Sequence, residues 1–100
     1  MALKIFFLTN SGREEVRAEI KVKGKVVHIR SPALVGLFSR TEFRMIEPHE
    51  EGFVITNGER ILVSHPSLKL PKRLLRVDGV EDGIKLFLPK PIEDVSQARN

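Results

Sequence analysis

The chain of 100 residues has no cysteine, no tryptophan and no tyrosine. Without a thiol it can have no disulfide, no thiolate metal site and no cysteine nucleophile. Six phenylalanines are left as the aromatic carbocycles available for stacking or core packing. No apolar run approaches the roughly 18–20 residues that a membrane span requires, so no membrane partner is expected. The opening stretch from Met1 to Thr9 is too short for the apolar region of a signal sequence and lacks a small-residue cleavage site. It reads instead as a strand of a cytoplasmic protein.

Catalytic and metal patterns are equally sparse. The three histidines, His28, His49 and His65, are isolated, with no partner two or four residues away of the kind that makes a shared metal site. His49 stands among Glu47, Glu50 and Glu51, a set that reads first as a solvated acidic turn. Ser64, His65 and Ser67 put hydroxyls near an imidazole. Neighbours along an extended chain point to opposite sides, however, and nothing in sequence supplies the third group that orients a base. No glycine-rich pattern precedes a helix, so no phosphate loop is expected. The reading is non-enzymatic, with no cofactor and no metal.

What is present is alternation. From Val16 to Val22 the even positions Val16, Ala18, Ile20 and Val22 are apolar, while Arg17, Glu19, Lys21 and Lys23 are charged. A period of two buries one face of a strand and wets the other. Gly24 permits a reversal, and Val26 to Ile29 reads as a β-branched return strand. The result is a hairpin with a mostly cationic solvent face, on which His28 alternates outward.

The remaining elements follow from similar signals. Leu3 to Thr9 is apolar on both faces, as in a central strand. Ser31-Pro32 is a helix-start signal, and Leu34, Leu37 and Phe38 suggest about two helical turns weakened by Gly36. Residues 40–47 carry both a capping-box pattern and strand alternation; strand is preferred, with Pro48 ending the segment either way. Asn57-Gly58, between Phe53–Thr56 and Ile61–Ser64, is the strongest hairpin signal in the chain, with a loop of two or four residues. His65 to Lys72 holds two prolines and reads as a crossing loop. Leu74–Val77 and Ile84–Leu88 are the last strands, with Asp82-Gly83 preferred over Asp78-Gly79 as their turn. The Leu3–Leu8 and Ile84–Leu88 strands are candidates to pair and close the fold.

These signals predict a mainly β fold: a small barrel or sandwich of seven or eight short, mostly antiparallel strands, with one short helix near residues 32–39. Residues 1–90 read as a single β domain and 91–100 as a polar C-terminal tail. Few Asn and Gln and many Lys, Arg and Glu also fit a chain adapted to heat.

Charge gives the functional direction. The net charge is +4, with a pI near 9.8, which favours acidic partners, although a modest positive charge also serves plain solubility. The cations are clustered. From Arg17 to Arg44 there are seven against two acids, and from Arg60 to Arg76 there are five and no acid. The acids collect at residues 47–51 and 78–82 and in the tail. A face that tracks phosphates requires such a separation of sign, provided folding brings the two basic segments together. The candidate nucleic-acid-binding residues are Arg17, Lys21, Lys23, Lys25, Arg30, Arg44, Lys69, Lys72, Arg73 and Arg76. Phe7, Phe38 and Phe87 read as core, and Phe43 and Phe53 as the better candidates for exposure. The leading expectation is a small basic β-module that binds nucleic acid or a nucleoprotein complex through phosphates. The alternative is a protein-interaction module, including self-association as a homodimer through an exposed hairpin such as Phe53–Ser64.

Overall fold

Two antiparallel sheets pack their apolar faces against each other in the computed structural model, which describes residues 3–38, 45–65, 68–69, 74–91 and 93–94. Among these residues the strands in chain order are β1 (Lys4–Thr9), β2 (Gly12–Val16), β3 (Glu19–Lys23), β4 (Val26–Arg30), β5 (Met45–His49), β6 (Gly52–Asn57), β7 (Glu59–Ser64), β8 (Leu68–Lys69), β9 (Arg76–Val80), β10 (Gly83–Phe87) and β11 (Glu93–Asp94). The larger sheet runs β2-β1-β7-β6-β5 and the smaller β3-β4-β10-β9, while β8 and β11 form a two-stranded ribbon. The mainly β class expected from sequence is the class observed, with more and shorter strands than the alternation alone suggested.

The core follows from the alternation. Val27 and Ile29 of β4, Val77 of β9, and Ile84 and Leu86 of β10 form the inner face of the smaller sheet. They meet Ile5, Val16, Ile55, Ile61 and Val63 of the larger one, with Leu34 and Phe38 joining the same cluster. Stacked sheets lie about 10 Å apart, a spacing filled by interdigitated side chains such as these. The approach is close at Gly79, where a Cβ would lie 1.5 Å from the Phe38 carbonyl oxygen. Only glycine lets the segment through Phe38 rest directly on β9.

Several sequence expectations are corrected. Val16 to Val22 is divided between two sheets: β2 ends at Val16 in the larger, and β3 begins at Glu19 in the smaller. Arg17 and Ala18 make the crossing without disturbing the inward set. The helix near 32–39 is a single 3-10 turn at Pro32–Leu34, capped by Ser31, whose Oγ accepts from the Ala33 N–H at 3.2 Å. It stops at Val35, whose ψ of 125° leaves the helical region, and Gly36 follows in the left-handed conformation with φ +76°. Pro48 lies inside β5 rather than ending it. That strand is at the edge of its sheet, where a residue without an N–H is tolerated. Arg40 to Arg44, the rest of the strand-or-helix segment, lie outside the described residues.

Pairing was the least legible feature. β1 pairs with β2 and β7, and β10 with β4 and β9, so the Leu3–Leu8 and Ile84–Leu88 strands do not pair with each other. The Asn57-Gly58 hairpin is present, turning so tightly that Asn57 pairs with Glu59. Its strands lie between β1 and β5, leaving the Phe53–Ser64 hairpin no free edge for a second copy. Asp82 lies in the β9–β10 turn, as preferred, and Asp78-Gly79 lies within β9.

Candidate nucleic-acid interface

The outer face of the smaller sheet is built by the residues that alternate with its core. Because Val27, Ile29, Ile84, Leu86 and Val77 point inward, their neighbours along β3, β4, β10 and β9 occupy the opposite surface. The strand register arranges these neighbours in three rows. The first runs Lys23, Val26, Phe87, Arg76; the second Lys21, His28, Lys85, Asp78; the third Glu19, Arg30, Gly83, Val80. Five cations on this face are countered by Glu19, Asp78 and the turn residue Asp82.

The charges are not evenly spread. Arg30 Nε donates to Asp82 Oδ2 at 2.8 Å, which lowers the Asp82 pKa and raises that of Arg30. Lys21 reaches Glu19 at 3.4 Å, and Arg76 reaches Asp78 at 3.1 Å. Among the described residues Lys23, Lys25 and Lys85 make no ion pair. Lys25 occupies the β3–β4 turn, just beyond the first row. The free positive charge is therefore concentrated toward the first two rows, and the acids take the third row and the β9 margin. Surface pairs of this kind contribute about 0–1 kcal/mol, little enough for a phosphate to compete for the cation.

Between the first two rows is an open concavity of about 410 Å³ lined by Lys21, Lys23, Val26, His28 and Lys85. His28 is half-buried, and its Nε2 is buried with no hydrogen-bond partner among the described residues. Its pKa is lowered, first by burial and then by the positive field of Lys85, Arg30 and Lys21, against which Asp82 acts in the opposite sense. Beside it Phe87 is half-buried, and the Arg76 guanidinium carbon lies 4.3 Å from the ring centroid.

The structure thus brings together Lys21, Lys23, Lys25, Arg30 and Arg76 from the two basic segments. Arg17 is set apart at the sheet-to-sheet crossing, where its carbonyl accepts from Ser31 Oγ at 2.7 Å. Its side chain lines a hollow of about 530 Å³ at the Glu19–Arg30–Asp82 end of the face. Lys69 belongs to β8, opposite Glu93, and Arg44, Lys72 and Arg73 lie outside the described residues. Sequence reasoning missed Lys85, Phe87 and the position of His28 between two lysines. Period two did carry the signal for Phe87, which shares a face with Lys85 and alternates with Ile84, Leu86 and Leu88. Phe38 is in the core as expected, Phe53 is buried rather than open, and Phe43 lies outside the described residues.

The other polar constellation is structural. Glu51 accepts from Arg13 Nη1 and Nη2 at 3.1 and 2.9 Å and from Ser64 Oγ at 2.9 Å, which lowers its pKa to about 2. The Ser64 hydroxyl is thereby committed to a carboxylate, and the His65 backbone N–H donates to the Glu51 carbonyl at 2.8 Å. His49 Nδ1 accepts from the Glu51 N–H at 3.0 Å, closing the β5–β6 turn. No group of three or more His, Asp or Glu side chains among the described residues is placed to hold a metal ion. No helix among them is long and apolar enough to cross a membrane. No protein-family model matches the chain, no curated protein matches it, and no solved structure matches it.

Proposed function

We propose that the chain is a nucleic-acid-binding module that lays the phosphate backbone across the outer face of its four-stranded sheet. One observation carries the reading: Lys21, Lys23, Lys85 and Arg76, from both ends of the chain, share two adjacent rows around Phe87 and His28. Cations spaced along neighbouring strands match the repeating charge of a backbone, and contacts of this type position a ligand without reading its sequence. The Phe87 ring with Arg76 above it adds a surface for an unpaired base, which favours single strands over duplex.

The test is binding of a labelled single strand and a matched duplex across a salt series. Single-strand retention at low salt, weakening linearly in log–log form, is the expected result, with a slope of about −0.7 for each phosphate neutralised. Replacing Lys21, Lys23 and Lys85 together by alanine then flattens the slope by roughly 2. Absence of retention at low salt, or an unchanged slope in the triple variant, would remove the proposal.

A further inference from the structure

A single phosphate can be placed more closely than the face as a whole, and this step rests on the nucleic-acid reading above. We infer that the concavity between Lys21, His28 and Lys85 is a phosphodiester subsite. There His28 takes up a proton as the ligand binds, and the charged ring faces the phosphate held between the two lysines.

Three observations converge on this site. A half-buried imidazole stands midway along a cross-strand row with a lysine on each side. Its Nε2 is withdrawn from water with no hydrogen-bond partner among the described residues, which disfavours the charged ring until a counter-charge arrives. An open concavity of about 410 Å³ adjoins it, with Val26 as its apolar wall.

The charged surroundings fix the direction of proton linkage. On β3 the groups are Glu19, Lys21 and Lys23; on β10, Lys85; on its own strand, Arg30. Asp82 lies in the β9–β10 turn, and Asp78 lies beyond Lys85 on β9. In the free protein burial and the neighbouring cations disfavour the charged ring, and Asp82 acts in the opposite sense. A phosphodiester between Lys21 and Lys85 adds one negative charge beside the imidazole and offsets the positive field there. The charged imidazole then becomes the better partner, since a charge-assisted N–H donor to phosphate is stronger than a neutral one. A proton is gained from solvent on binding and returned on release; no covalent bond changes. Affinity must therefore rise as pH falls toward the ordinary histidine range, by at most tenfold per pH unit for one proton.

Binding of a short oligothymidylate between about pH 5 and 8 tests this, because neither its diesters nor its bases titrate over that range. Wild-type protein is expected to tighten several-fold from the upper to the lower end. His28→Gln keeps an amide donor and cannot titrate, so its affinity should stay level across the range and lose the pH dependence. His28→Asn serves as the second variant, and circular dichroism checks both folds. His49 and His65 remain in both variants, so any slope they cause persists. Binding with the same pH dependence in wild type and variants overturns the subsite while leaving the nucleic-acid reading in place. Binding that does not depend on pH in wild type has the same consequence. No binding at any pH removes both.

Discussion

In the larger sheet β6 and β7 are buried on both faces, whereas in the smaller sheet burial alternates along the strands. Phe53, Val54 and Ile55 of β6 are all buried, as are Ile61, Leu62, Val63 and Ser64 of β7. In β4 and β10 only every second side chain enters the core, and Val26, His28, Lys85 and Phe87 remain partly open. Strands covered on both sides read as continuous apolar runs, and strands covered on one side as alternation. A face already covered by protein has little surface left for a ligand. The contrast gives both faces of β6 and β7 to packing and leaves the smaller sheet's outer surface open.

The sharpest way to break this comparison is to truncate one residue on the outward side of each sheet. Leu62, on the side opposite the shared core, is 0% exposed. Leu62→Ala should cost about 2–5 kcal/mol of stability, as truncations at fully buried leucines do. Lys85→Ala, the corresponding change on the smaller sheet, should stay within about 0.5 kcal/mol. Ile29→Ala, on the inner face of the smaller sheet, should resemble Leu62→Ala. Urea denaturation separates the three. If Leu62→Ala proved as mild as Lys85→Ala, the larger sheet would not be covered on both sides.

How much of this was legible depended on the range of the information. The hairpin at Gly24 and the Asn57-Gly58 turn are local, and local backbone chemistry specified them. The double burial of β6 and β7 was missed, with Phe53 expected to lie open, although Phe53-Val54-Ile55 and Ile61-Leu62-Val63 are continuous apolar runs. The break at Arg17–Ala18 was hidden because the inward alternation from Val16 to Ile20 continues while the chain changes sheets. Partner choice for β1 was hidden as well: β7 lies more than fifty residues away, and alternation specifies a face without specifying a neighbour. The site was half legible for the same reason. Charge clustering located Lys21, Lys23 and Arg76, yet only the register of β10 put Lys85 and Phe87 among them.

A smaller effect is expected at Phe87, where the comparison can be sharpened within the open face. Base stacking on an aromatic side chain is worth about 1–3 kcal/mol per base, so Phe87→Ala should weaken single-strand binding by roughly 5- to 150-fold. Duplex binding, whose bases are already stacked on each other, should change much less. Fluorescence anisotropy with both ligands at one salt concentration reads the difference. Equal losses on single strand and duplex would mean that Phe87 supports the sheet rather than meeting a base.

The smallest effect belongs to the larger sheet's exposed rim, where Arg13 of β2 reaches across to Glu51 in the β5–β6 turn. The Glu51 pKa is held near 2 by the Arg13 and Ser64 hydrogen bonds, well below an ordinary glutamate. A carboxylate with a depressed folded-state pKa stabilises the fold fully above its unfolded pKa. That contribution fades as pH falls from the ordinary carboxylate range toward 2. Arg13 and Glu51 are both partly exposed, so solvent screening keeps the contribution small. Glu51→Gln should therefore lower the melting temperature slightly at neutral pH, and the deficit should shrink on acidification below about pH 4 as the wild-type group protonates. His28 acts in the opposite structural half and in a different window. Its lowered pKa means that the unfolded chain takes up a proton first as pH drops through the ordinary histidine range. Wild type should lose stability there, and His28→Gln should not share that loss. Thermal melts of both variants from neutral to acid pH would resolve the two windows. A Glu51→Gln deficit that stayed constant down to pH 2 would show that the rim contact acts through packing rather than charge.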